Sequence, residues 1–365
     1  MELNRLRILK TLLLFSLFSF TILLRNKGTP YSAWKSSRSL TPHQRSLIQK
    51  CLYARTPAGA PPSFNTASRV LHGSDRFEPG TPPTLIRNAK ILTGHRNGSE
   101  AEALEGDILL NKGVIVGIGY IPNLDVLAEN VGDLIVIDAQ GRWITPGLVD
   151  IHSHLGVDSA PELDGTYLSF LAVPYSKQHF HIGAKDTNSH NAPILPWLRS
   201  IDGLNTHDDS YNLAIAGGVT TVQVLPGSGD NIGGQAVLIK LRSPPDRSVS
   251  SRVVEPPRGM FVNTSSSSEW VSWRHMKHAC GENPNGWYAQ SRMDAAWNFR
   301  NAYNEARKLR DAQNEFCERV ERRDWDSVGE RKFPDDLQWE SLVDVLRGKV
   351  KVRSFHSGAH VLISR

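Results

Sequence analysis

His152 and His154, separated by Ser153 at the end of the apolar run Leu148-Val149-Asp150-Ile151, are the residues of this chain best placed to do chemistry. In a strand, successive side chains alternate between faces, so the two imidazoles point the same way and can reach one ion. Neutral imidazole nitrogens suit zinc and similar divalent metals, and a catalytic site keeps one position open for water. Pro146-Gly147 punctuates the chain just before this short buried strand, and Gly156 just after it. A second candidate, the glycine-rich stretch from Pro226 to Gln235, reads as a loop at the C-terminal end of a strand. It lacks the spacing and the Lys-Ser/Thr of a phosphate-binding loop. His179, His181, His190 and His207 fall in or beside a long loop running to about Asn205, and their spacing selects none of them. Cys51, Cys280 and Cys317 are odd in number and far apart, so they indicate neither a disulfide framework nor a cysteine zinc site.

These side chains need a scaffold, and 365 residues with a 39% hydrophobic fraction supply one large domain or two ordinary ones. The net charge of +5 is dispersed, with no basic block interleaved with aromatics, which argues against a nucleic-acid partner. Alternating apolar runs over Leu85–Leu92, Ile108–Leu110, Val114–Ile118 and Leu134–Ile137 predict a small β unit, with a tight hairpin at Lys112-Gly113. Further strands are predicted at 148–152, 219–225, 274–280 and 350–355, and a short helix over Asp208–Ala216. The 3.6-residue period of Phe299, Ala302, Tyr303, Ala306, Leu309, Phe316 and Val320 predicts a helix over Ala295–Val320. Another is predicted over Leu337–Leu346, stopped by Gly348. Strands alternating with helices argue for a parallel α/β architecture.

Three stretches together resemble the amidohydrolase superfamily: Ile144-Thr145-Pro146-Gly147 through His154, Gly217-Gly218-Val219-Thr220-Thr221, and Lys277 through Gly281-Glu282-Asn283-Pro284. They are most similar to an imidazolonepropionase-like group that includes proteins labelled carbohydrate esterase family 9. The resemblance implies an α/β, TIM-like metal-dependent hydrolase barrel preceded by a small β-sandwich segment. It implies a divalent metal, expected to be zinc, held by His152, His154 and an anionic ligand. Glu282 is the preferred ligand, and Lys277, carboxylated, is the fallback. Val350-Lys351-Val352 matches a family strand that leads to a further metal-binding histidine, for which His356 is the candidate here. The implied activity is hydrolysis of a non-peptide C–N bond in a small amide, cyclic amide or N-acetyl substrate. The alternatives are an N-acetyl sugar deacetylase and a non-catalytic membrane-anchored remnant.

Arg5, Arg7 and Lys10 before an apolar run from Thr11 to Leu24 form a signal-anchor pattern, so residues 1–27 are expected to place a single-pass protein in a membrane. Sequons at Asn97-Gly98-Ser99 and Asn263-Thr264-Ser265 fit a glycosylated lumenal or extracellular body. Residues 28–81 read as a linker, 82–143 as the β-sandwich segment and 144–365 as the barrel. A full barrel takes about 250 residues and eight βα units. Only four barrel strands can be placed here, and no segment remains for the later histidine and final-strand aspartate that the resemblance implies, so a truncated member is expected.

Overall fold

Thr41-Pro42-His43-Gln44 opens α1 (Pro42–Arg55), the first helix among the described residues, with a reciprocal cap. The Thr41 hydroxyl accepts the Gln44 backbone N–H at 3.2 Å, and the Gln44 side-chain oxygen accepts that of Thr41 at 2.9 Å. The computed structural model describes residues 40–60, 73–74, 76–97, 100–122, 133–158, 186–243, 246, 248–255 and 271–355. They divide into a larger unit, Thr56–Ala312 with Pro334–Arg365, and a smaller one containing α1 and Gln313–Phe333. A helix at 42–55 corrects the expectation that 28–81 is all linker. The anchor expected at 1–27, and both sequons in whole or part, lie outside the described residues. Among the described residues no helix is long and apolar enough to cross a membrane.

In the larger unit β1 (Thr84–Asn97), β2 (Glu100–Asn111) and β3 (Val114–Gly119) form an antiparallel meander. Lys112 (φ 50°) and Gly113 (φ 74°) both take left-handed conformations, the two-residue turn that matches the twist of the flanking strands. β4 (Ile135–Asp138) and β5 (Trp143–Ile144) add parallel to β1, giving one mixed five-stranded sheet.

The second sheet carries the chemistry. It contains β6 (Leu148–Ser153), β7 (Val219–Val224), β8 (Ile232–Lys240), β9 (Val253–Glu255), β10 (Arg274–Ala279) and β11 (Val350–Phe355). Its order is β11-β10-β8-β7-β6, with β9 on β8. The four strands expected from the sequence are present, and β6, β7, β10 and β11 all run one way. Two expectations are corrected. Ile232–Lys240 is a strand, antiparallel to both neighbours, so the sheet is mixed and the glycine-rich loop ends at Asn231. Ile232, Ala236, Val237 and Ile239 are all buried, the near-continuous apolar run of a central strand covered on both faces. The strand bearing the histidine pair is not buried: β6 is an edge with one neighbour, and Leu148, Val149 and Ile151 are each more than half exposed. Its entry lies hard against β7, since a Cβ on Gly147 would stand 2.3 Å from Thr220 Oγ1.

The sheet is covered by helices. Val222, Val224, Val237 and Ile239 pack with Tyr211 of α2 (Ser210–Ala216) in one cluster. After α3 (Val249–Arg252), the buried Arg252 guanidinium donates to the Leu241 carbonyl at 2.6 Å and Ser243 Oγ at 2.9 Å while lying over the Tyr211 ring. These partners let a charge be buried. α4 (Glu282–Tyr288) and α5 (Arg292–Glu321) follow β10, and α5 presents Phe299, Ala302, Tyr303 and Ala306 to Met276 and Ile232, as its periodicity predicts. After α6 (Trp325–Val328), α7 (Glu340–Leu346) adds Leu342 and Val343 to that cluster. Gly348 at φ 69° ends it.

In the smaller unit Leu47 and Cys51 of α1 meet Phe316, Cys317, Val320, Val328 and Phe333. Cys51 and Cys317 are joined by a disulfide across 266 residues, which corrects the reading that these cysteines do not pair. Spacing alone carried no sign of it.

Candidate metal centre

His152 is the penultimate residue of β6, and His154 lies one residue beyond the strand's end. Their ring centres are 5.5 Å apart with the rings nearly perpendicular. Asp150, on the same face, accepts the His152 backbone N–H at 2.9 Å. His154 Nδ1 lies 2.9 Å from the carbonyl oxygen of Leu225, the residue after β7. A carbonyl only accepts, so Nδ1 carries the hydrogen and Nε2 keeps its lone pair. A backbone carbonyl on the far nitrogen is a usual way of orienting a metal-binding histidine. Leu225 is itself held, donating its N–H to the Ser153 carbonyl at 2.9 Å.

The third member comes from β10. Lys277 Nζ lies 3.0 Å from His152 Nε2, and the lysine is wholly buried. Register puts it there: Lys277 stands opposite Gly234 of β8 on one side and Arg353 of β11 on the other. Burial pushes the Lys277 ammonium down to about 8, and Arg353 adds to that effect. Burial also lowers His152, helped by Lys277, His154 and Arg353 and opposed by Asp150, which keeps its imidazole neutral at neutral pH.

Glu282 opens α4 and is exposed. Among the described residues, His, Cys, Asp and Glu side chains form no group of three or more that could hold an ion, so Glu282 does not complete one with the two histidines. His356 lies outside the described residues, as do His179 and His181. His190 stacks on Trp287 at 4.1 Å between ring centres, and His207 Nδ1 lies 3.2 Å from Thr206 Oγ1.

Sequence reasoning passed over two features of β10. His275 shares a face with Lys277 and pairs through Nε2 with the Glu255 carboxylate of β9. The alternation His275-x-Lys277 was a usable signal for a shared face; the acidic partner was not. His278, on the other face, is enclosed by Phe299 and Tyr303, and burial pushes it down to about 4, which leaves it a neutral packing residue.

No family model matches the chain. It is similar to the amidohydrolase tasK of Hapsidospora irregularis, 33% identical over an alignment of 351 positions that covers 88% of this chain and 31% of that protein. It is also similar to the imidazolonepropionase of Geobacillus thermodenitrificans, 27% identical over 42% of this chain and 38% of that protein. Among solved structures, an amidohydrolase from Thermotoga maritima matches with a TM-score of 0.51 and 25% identity, over 74% of this chain and 57% of that one. The chain thus spans about a third of the first two relatives and just over half of the third.

Proposed function

Because this chain belongs to the amidohydrolase superfamily, we propose that its larger unit holds a divalent metal on His152, His154 and Lys277. The whole protein would hydrolyse a C–N bond in a small amide or cyclic amide. The observation that carries this reading is the convergence of His152 and Lys277 beside a histidine whose far nitrogen is tied to the Leu225 carbonyl. The donor set fits a metal. Both imidazoles offer Nε2, and a buried lysine pushed down to about 8 is neutral often enough near pH 7 to add CO2, lose a proton and become a carboxylate ligand. Zinc suits such nitrogen-rich sites. Bound there, the ion would polarise a carbonyl and activate water at neutral pH. The chain's own part is to fix the ligands: Leu225 orients His154, Asp150 holds the His152 backbone, and register delivers Lys277.

No observation favours the sugar-deacetylase alternative. An apolar N-terminal anchor with a lumenal body remains part of the proposal. The Cys51–Cys317 disulfide supports it, because such bonds persist in oxidising compartments. Metal analysis of the purified chain tests the site. His152→Ala and Lys277→Ala should lose a stoichiometric divalent ion while Glu282→Gln keeps it. An ion retained without His152 would end the proposal, and one lost with Glu282 alone would return the anionic ligand to that residue.

A further inference from the structure

The hydroxyl of Tyr288, the last residue of α4, has more acceptors around it than it has protons. Its Oη lies 2.5 Å from Asp230 Oδ1, 2.9 Å from the Ala192 carbonyl oxygen and 3.3 Å from that of Ser189. A phenol donates one hydrogen bond, and backbone carbonyls only accept. Were Asp230 ionised, all three neighbours would be acceptors. The proton would then go to the carboxylate, and Ala192 would face a lone pair. With Asp230 as a neutral acid one acceptor fewer is left over: Asp230 donates to Tyr288, Tyr288 donates to Ala192, and only the longer contact with Ser189 goes without a proton. Asp230 is only 1% exposed, where a failed hydrogen bond is expensive.

The carbonyls at stake belong to a segment fastened to the metal-site loop. Gly227 N–H donates to the Thr187 carbonyl at 2.6 Å, and Gly229 N–H to Asn188 Oδ1 at 2.8 Å. A Cβ on Gly227 would stand 2.3 Å from Asn188 Oδ1, so the contact depends on bare glycine backbone. This loop begins at Leu225, whose carbonyl orients His154.

We propose that the proton on Asp230 is the pin of a latch. While it is present, Tyr288 pins the Ala192 carbonyl; when it leaves, the phenol turns to the carboxylate, and the hold of residues 187–192 on the 226–230 loop is loosened. Burial pushes Asp230 up to about 6, opposed by the Tyr288 hydrogen bond, while burial and Asp230 hold the phenol above its ordinary range, so that Tyr288 keeps its own proton. No other charged side chain contributes to either group among the described residues. The segment itself carries Asp186 and His190, the latter stacked on Trp287 of α4. Because the folded state binds this proton more tightly than the unfolded chain does, the latch is fully engaged below the ordinary carboxylate range and lost as pH rises through about 6. It does not depend on a metal being bound.

Hydrogen exchange on the full chain, corrected for intrinsic rates, tests the latch on peptides covering 226–230, where the Gly227 and Gly229 amides donate to Thr187 and Asn188. Wild type should lose about tenfold in protection between pH 5 and 7.5, the span set by a carboxyl titrating near 6 rather than 4. Asp230→Asn keeps a donor to Tyr288 that cannot titrate, so its protection should stay high throughout. Tyr288→Phe should be low throughout, with peptides from β7 still protected as evidence of folding. A flat wild-type profile, or a decline in Asp230→Asn equal to that of wild type, would overturn the proposal.

Discussion

Replacing Lys277 by methionine keeps all but the last atom of the side chain's length and removes its charge, and the two consequences pull apart stability and metal binding. The lysine is wholly buried, and burial, with Arg353 second, brings its ammonium from 10.5 down to about 8. At about 1.4 kcal/mol per factor of ten, keeping that group charged at pH 7 costs the folded state about 3 kcal/mol. The unfolded chain binds more protons than the folded one between about 8 and 10.5, so wild-type stability should climb with pH across that window. The thioether of the variant has no proton to lose, and its curve should lack the climb. Against the gain stands the lost contact with His152 Nε2, worth about 1 kcal/mol because that exposed imidazole can turn to water. The net expectation at pH 7 is a gain of about 2 kcal/mol, or roughly 4–8 °C in Tm for a unit of this size. The assay is thermal unfolding of chelated protein in CO2-free buffer from pH 6.5 to 10, beside metal analysis of untreated protein. Lys277→Met should melt higher at neutral pH and bind no metal. A variant less stable than wild type at pH 7, or a wild type with no rise above pH 8, would refute the claim that the site holds an uncomfortable charge.

Two further outcomes test the frame around the site. Reducing the Cys51–Cys317 disulfide, or Cys51→Ser, should destabilise the smaller unit by about 2–5 kcal/mol and expose α1 to limited proteolysis; unchanged cleavage would show that the apolar cluster holds α1 unaided. Gly234→Ala should cost about 3 kcal/mol or more in urea unfolding, because Gly234 has φ 126° and a Cβ there would stand 2.5 Å from the Leu198 carbonyl oxygen. A neutral alanine would mean that β8 does not approach Leu198 so closely.

What the sequence made legible follows how far each interaction reaches along the chain. The same-direction strands and α5 announce themselves by periodicity, which needs only neighbours within a turn or a pleat. Lys112-Gly113 was readable because a two-residue turn encodes its own dihedrals. α1 was equally local, with Thr41 and Gln44 forming a capping box around Pro42, but its three buried residues are too few to register as periodicity. β8 was hidden because glycines at its start read as a loop, whereas Gly234 is there to let the Leu198 backbone come close. The lysine proposed as the third ligand was harder to single out, for a different reason. Strand alternation shows that His275 and Lys277 share a face, yet only the insertion of β8 and the register of β10 decide that this face meets His152. Chemical expectation favoured the carboxylate of Glu282, three residues past the strand end, where the chain has already turned into α4. The Asp230–Tyr288 pair reaches across 58 residues and has no local mark at all. A buried acid becomes unusual only through what surrounds it, so such a group has to be found by counting donors against acceptors once the strands are in order.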